Sequence, residues 1–96
     1  MAKILSKEDN LMELVKNGTH LVDFFATWCG PCQMLLPILD QVDFVDVIKV
    51  DVDMHQELAN KFGIMSVPTL ILFKDGEIVK KELGFKSLDE LRNMVA

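Results

Sequence analysis

The sequence is poor in the residues that mark several classes of protein. Its 96 residues include two cysteines, one tryptophan and no tyrosine, and 10 lysines and arginines stand against 15 acidic residues. Two cysteines are too few for the disulfide framework of a small secreted domain. The net charge of −5 leaves no basic face, so we expect no direct contact with nucleic acid, which relies on Lys and Arg at the phosphates.

Long hydrophobic runs are also missing. The longest apolar runs, such as residues 70–73, are far too short to cross a bilayer, so no membrane association is expected. The first eight residues contain no apolar stretch of signal-peptide length. These features predict a cytoplasmic protein. Thiols stay reduced in that compartment, where a close cysteine pair is more often catalytic or metal-binding than structural.

What the chain does contain is an alternation of strand and helix signals. Half of its residues are hydrophobic and about a quarter are charged, which suits one folded domain over residues 1–96. Strands are predicted over residues 20–26, 45–52, 69–73 and 78–83. Helices are predicted after an N-cap at Ser6, from residue 29 towards 42, after a cap at Asp53, and after Ser87. This order predicts an α/β fold around a mixed sheet.

The last two predicted strands flank an Asp75-Gly76 turn, a strong hairpin signal. Lys80 and Lys81 on the second of these strands are interpreted as a solvated face. The final helix opens with capping-box spacing between Ser87 and Glu90.

Cys29 and Cys32 are the strongest candidates for chemistry. A cysteine at a helix start meets unpaired N–H groups and the positive end of the helix dipole, which stabilise the nucleophilic thiolate. Cys29 is expected at the exposed junction, with Cys32 one turn further in. Gly30 removes bulk between them, and Pro31 suits the first helical turn.

The spacing of the pair favours a bond that opens and closes. A disulfide across so short a loop stabilises the fold by roughly 2 kcal/mol, against about 4.7 for a loop of a hundred residues. Half of a zinc site is an alternative, but four ligands are normally needed, and neither His20 nor His55 has suitable spacing to the pair. A further alternative is that both cysteines are inert core residues, but this does not explain why Gly30 and Pro31 stand between them.

Several segments of the sequence resemble the thioredoxin family. Residues 22–32, Val-Asp-Phe-Phe-Ala-Thr-Trp-Cys-Gly-Pro-Cys, resemble that family's active-site segment. Residues 37–40, 67–70 and 73–77 match further along, in the expected order, and the resemblance covers nearly the whole chain. One departure is a segment between residues 40 and 49 that is several residues shorter than in better-known bacterial members.

The resemblance implies the thioredoxin fold, a central mixed β-sheet flanked by four α-helices. It implies a protein-disulfide reductase that supports cell redox homeostasis, with Cys29 as the nucleophile and Cys32 as the resolving cysteine. The pair would form a redox-active disulfide with no other bound cofactor or metal. A flavin-dependent thioredoxin reductase drawing on NADPH would restore the dithiol, the clients would be disulfide-containing proteins, and the chain would work as a monomer.

Asp23 and Lys49 are the predicted auxiliary residues. From the residues alone, Asp23 is either a buried carboxylate kept for a use or an exposed carboxylate at a strand end. The resemblance implies that it accepts the proton of Cys32, with a pKa raised by desolvation. It also implies that Lys49 approaches and modulates Asp23; the alternative is a lysine that points at solvent.

A client-binding surface is also implied. Pro68 would be cis in the family, although X-Pro bonds are usually trans, and it would expose the backbone of Val67 for strand-like pairing with a client. The resemblance adds further apolar contacts at Trp28, Gly30, Pro31, Gly84 and Phe85. Trp28 as core filler and Gly84 as a plain turn glycine are the alternatives.

Two other functions compete with reduction. An oxidase or isomerase of protein disulfides would use the same cysteines at a more oxidising potential, and Gly-Pro between them resembles the reducing members. A binding subunit of a larger assembly would use the same apolar surface, but both cysteines are intact here.

Overall fold

Five strands form one mixed sheet with helices on both faces. A computed structural model describes residues 2–96. Its elements are β1 (Ala2–Ile4), α1 (Leu11–Leu14), β2 (Thr19–Phe25), α2 (Gly30–Asp40), β3 (Asp46–Asp51), α3 (Gln56–Lys61), β4 (Thr69–Lys74), β5 (Glu77–Leu83) and α4 (Leu88–Val95). The strand order is β1-β3-β2-β4-β5; the first three are mutually parallel, and β4 and β5 are antiparallel to their neighbours. The predicted α/β fold is confirmed.

β2 is the central strand, and its residues alternate between two hydrophobic clusters. Val22 and Phe24 belong to a cluster that includes side chains of α1 and has Leu58 of α3 packed against it. Leu21 belongs to the opposite cluster, together with buried side chains of α2 and α4. Because successive side chains of a strand point to opposite faces, Asp23 lies on the face covered by α2 and α4.

The β4–β5 hairpin and the start of α4 follow the sequence signals. Asp75 and Gly76 both have positive φ, 50° and 84°, as a two-residue type I′ turn requires. At α4, the Ser87 hydroxyl accepts the Glu90 N–H, and the Glu90 carboxylate accepts the Ser87 N–H. This is a complete capping box, which confirms the predicted helix start.

Two predicted helix caps are wrong. Asn10, not Ser6, caps α1, and its side chain accepts the Glu13 N–H. His55 occupies the N-cap position of α3. Asp53 lies two residues before that position, and its carboxylate accepts a hydrogen bond from Trp28. A polar residue before an apolar run has several possible partners, and only the tertiary fold decides among them.

Lys80 and Lys81 are exposed, as predicted for a solvated strand face, and both also make contacts that the sequence did not indicate. They point to opposite faces of the edge strand β5, and each ammonium donates to a carbonyl at the end of a helix. Lys80 Nζ lies 2.9 Å from Met94 O of α4, and Lys81 Nζ lies 3.0 Å from Phe62 O after α3. Helix ends leave carbonyls without intrahelical partners, so both lysines fasten helices to the sheet edge.

Candidate active site

Cys29 occupies the junction between β2 and α2. It is the N-cap of α2, with extended backbone, and its Sγ accepts the N–H of Cys32 at 3.2 Å. N-cap side chains normally offer an oxygen to this third helical N–H, and here a sulfur takes that place. Gly30 and Pro31 fill the first two helical positions, where Pro31 sacrifices no hydrogen bond because those N–H groups have no intrahelical acceptor. The local sequence therefore aims unpaired N–H groups and the helix dipole at Cys29 Sγ.

The two cysteines are joined by a disulfide, and their surroundings differ. Their Cα atoms lie 5.2 Å apart. Cys32 is completely buried. Cys29 is only 6% exposed, which is less than the expected exposed junction, but it lines an open groove at the surface. Cys29 Sγ also lies 3.6 Å from the carbonyl oxygen of Val67, as a contact rather than a hydrogen bond, since an oxidised sulfur carries no proton. Of the pair, Cys29 is thus the sulfur that an approaching molecule meets first.

The groove beside Cys29 is apolar and uncharged. Its volume is about 550 Å³, and none of its nine lining residues is charged: Trp28, Cys29, Gly30, Pro31, Val52, Ile64, Met65, Ser66 and Val67. The indole of Trp28 is 72% exposed, so Trp28 is not core filler. The structure therefore brings together five of the predicted site residues, and it adds Val52, Ile64 and Met65 to them.

Pro68 and Gly84 lie beside the groove rather than in its lining. The Val67–Pro68 peptide is cis, as the family resemblance implies and against the usual trans preference of X-Pro bonds. The Gly84 N–H donates to Pro68 O at 2.8 Å, which fastens the end of β5 to the segment that carries Val67. Gly84 has a φ of 86°, a conformation that favours glycine.

Asp23 lies within the sheet, buried on the face that α2 covers. Its side chain has no accessible surface, and neither carboxylate oxygen has a hydrogen-bond partner among the described residues. Burial raises the pKa of Asp23 to about 7, and the charge of Lys49 opposes this rise. Lys49 is the residue opposite Asp23 in the β2–β3 register and is half-buried. A carboxyl group with this pKa gains and loses a proton near neutral pH.

A hydrogen bond that orients Trp28 also escaped the sequence prediction. The Trp28 indole N–H donates to Asp53 Oδ2 at 2.9 Å, and this bond orients the largest exposed side chain of the groove. Asp53 follows β3 and Trp28 follows β2, and the parallel pairing of these strands brings their ends together. The contact between Trp28 and Asp53 could therefore be predicted only from the order of the strands in the sheet, and not from the two residues themselves.

The described residues contain neither a cluster of metal ligands nor a membrane-spanning helix. Across residues 2–96, His, Cys, Asp and Glu side chains form no group of three or more that could hold a metal ion. In the same part of the chain no helix has the length and apolar character to cross a membrane.

Comparison with known proteins agrees with this geometry. The sequence model of the Thioredoxin family matches residues 2–96. The chain is 43% identical to a thioredoxin of Chlamydia muridarum, with all of this chain and 97% of that protein aligned. It is 40% identical to a thioredoxin of Bacillus subtilis, with 99% and 96% aligned.

Solved structures show the same likeness. A mutant thioredoxin from Halobacterium salinarum has a TM-score of 0.86 and 39% identity, covering 98% of this chain and 87% of that one. The oxidised thioredoxin of Plasmodium falciparum has a TM-score of 0.87 and 32% identity, covering 99% and 95%. The chain therefore belongs to the thioredoxin family and is a thiol–disulfide oxidoreductase with protein-disulfide reductase activity.

Proposed function

We propose that the two cysteines act in a fixed order. The Cys29 thiolate attacks one sulfur of a client disulfide, that S–S bond breaks, and the departing client sulfur takes up a proton. Cys32 then loses its proton and attacks Cys29 Sγ, which breaks the mixed disulfide and releases the second client thiol. Two electrons pass to the client, and the chain is left with the Cys29–Cys32 disulfide.

The difference in accessibility between the two sulfurs carries this proposal. Cys29 lines the groove and accepts the N–H of Cys32, so it is both reachable and stabilised as a thiolate. Cys32 is buried, and the sulfur within its reach is Cys29 Sγ, with which it forms the disulfide. We assign Asp23 as the proton acceptor for Cys32, because its carboxyl lies on the α2 face and its pKa is about 7. Lys49 modulates Asp23 through its charge.

Client binding is proposed at the groove. Trp28, Gly30 and Pro31 contact the client on one side, and the backbone of Val67 pairs with it in the manner of an added strand. Pro68 and Gly84 hold the Val67 segment in place through the hydrogen bond from the Gly84 N–H to Pro68 O. An uncharged groove suits clients of many sequences, since it excludes none by charge.

The cellular setting follows from the family. Disulfide-containing proteins are the clients, and a flavin-dependent thioredoxin reductase using NADPH returns the disulfide to the dithiol. We propose that residues 1–96 act as one domain and as a monomer in the cytoplasm. A lone cysteine pair with catalytic spacing supports this compartment, because thiols stay reduced there.

Trapping of mixed disulfides tests the order of attack. In a cell extract, Cys32→Ser is expected to accumulate stable mixed disulfides with clients through Cys29, because no resolving thiol remains. Cys29→Ser is the matched control, and it is expected to trap almost nothing, since its remaining thiol is buried. Equal trapping by the two variants, or more by Cys29→Ser, would contradict the assigned roles.

A further inference from the structure

Thr69 is a buried polar residue that the proposed chemistry does not use. Its side chain has no accessible surface, and among residues 2–96 the other polar or charged residue buried in this way is Asp23. The next four residues of β4, positions 70–73, are all buried and apolar. A hydroxyl in such surroundings costs free energy unless it has a hydrogen-bond partner, so its partner indicates what the hydroxyl does.

The partner of the Thr69 hydroxyl lies in the wall of the groove beside Cys29. Thr69 Oγ1 donates to Ser66 O at 2.7 Å, which is the ordinary length of a well-formed O–H···O bond. Ser66 lines the groove together with Met65 and Val67. A side chain anchored in the sheet therefore holds the carbonyl on the far side of Val67.

The groove wall has few other attachments. Residues 65–67 make no backbone–backbone hydrogen bond within the described part of the chain. On the two sides of this stretch, the Ile64 N–H donates to Ala59 O at 2.9 Å and the Gly84 N–H donates to Pro68 O at 2.8 Å. Between these two points, the bond from the Thr69 hydroxyl fixes the carbonyl next to Val67. The position of the Val67 backbone therefore depends on bonds made by its neighbours.

We propose that Thr69 is a positioning residue whose hydroxyl holds the backbone of Ser66 and Val67 in the conformation that pairs with a client. The inference rests on the proposed client binding at Val67. A client then meets hydrogen-bonding groups that are already in place, and its apparent affinity falls in proportion when only a fraction of the molecules have them in place. The hydroxyl is bonded to Ser66 and to neither cysteine, so it acts on client binding and not on disulfide exchange.

Thr69→Val tests the hydroxyl, because valine has nearly the same shape and cannot donate a hydrogen bond. The substrate is an extended peptide of about ten residues whose central cysteine carries a disulfide-linked reporter thiol. We expect KM for this peptide to rise about fivefold with little change in kcat, the factor that corresponds to the loss of one ordinary hydrogen bond. A small aromatic disulfide cannot pair with Val67 and should be reduced at the unaltered rate. Thr69→Ser keeps the hydroxyl and should restore the KM of the unsubstituted protein.

Ile71→Val is the matched control for stability. It removes a buried methyl group from the same strand, lowers the free energy of unfolding, and leaves the bond between Thr69 and Ser66 in place, so KM should not change. The order of the groove wall is measured separately, as the NMR order parameter of the Val67 N–H without any client. This order parameter should fall in Thr69→Val and stay unchanged in Thr69→Ser and Ile71→Val.

The two measurements can fail separately. An unchanged order parameter of the Val67 N–H in Thr69→Val would overturn the positioning role and leave client binding at Val67 intact. An equal rise of KM in Thr69→Ser or in Ile71→Val would overturn it as well. A lower order parameter without any change in KM would instead reject the proposed client binding at Val67, and the role of Thr69 with it.

Discussion

Replacing Asp23 by asparagine tests the buried carboxyl group directly. A pKa raised from 3.8 to about 7 means that the folded protein favours the protonated carboxyl by about 4 kcal/mol. Burial without a hydrogen-bond partner is the cause, and Lys49 compensates only partly. Asparagine has the same shape and cannot ionise, so Asp23→Asn removes this cost.

The sign of the pH dependence follows from proton binding. Between about pH 4 and about pH 7 the folded state keeps the Asp23 proton and the unfolded state does not, so stability falls by about 1.4 kcal/mol per pH unit. Above about pH 7 both states are ionised and the loss is complete. The gain in the free energy of unfolding for Asp23→Asn should therefore grow from its value near pH 4 to about 4 kcal/mol more near pH 8.

Urea unfolding of the oxidised protein at several pH values measures this difference. The other carboxylates titrate in both proteins, so their contributions cancel. Asp43→Asn is the matched control for the loss of one carboxylate, because Asp43 is exposed in the loop after α2 and its replacement removes no buried group. A pH-independent difference for Asp23→Asn would refute the buried, raised-pKa carboxyl. The same variant should slow release of the mixed disulfide, because Cys32 loses its proton acceptor.

Two further predictions concern residues whose contacts the sequence did not reveal. Asp53→Ala removes the acceptor of the Trp28 indole N–H and should raise KM for protein clients about threefold with little change in kcat. Asp53→Asn keeps an acceptor oxygen and should leave KM unchanged. Equal KM values for the two variants would contradict the positioning role of Asp53. Lys80→Met removes the donor to Met94 O and should lower the free energy of unfolding, measured by urea denaturation, by about 1 kcal/mol. Lys74→Met is the control and should change it hardly at all. Equal effects would contradict a stabilising contact between Lys80 and α4.

Sequence patterns were sufficient where the physical cause is local. The Asp75-Gly76 turn, the capping box at Ser87 and the helix that opens at Cys29 each depend on residues within four positions of one another, and all three are present. The pair Cys29 and Cys32 is local in the same sense, because helix geometry alone places both sulfurs at one helix end.

Contacts between distant segments could not be predicted in this way. Ser6 and Asp53 both have the chemistry of a cap, and the competing partner of Asp53 is the Trp28 indole, 25 residues away. Lys81 on an edge strand has the pattern of a solvated residue, yet the packing of α3 brings Phe62 O to its ammonium. β1 was not predicted, since a three-residue strand carries too weak a periodic signal.

The ionisation of Cys29 is the most direct test of the account, because every step begins with its thiolate. The measurement is the rate of alkylation of Cys29 by iodoacetamide as a function of pH, in the reduced Cys32→Ser variant so that a single thiol reports. The helix dipole and the N–H of residue 32 predict a midpoint clearly below that of a cysteine in an unfolded peptide, about 8.5. A midpoint at or above that of the peptide would contradict the account.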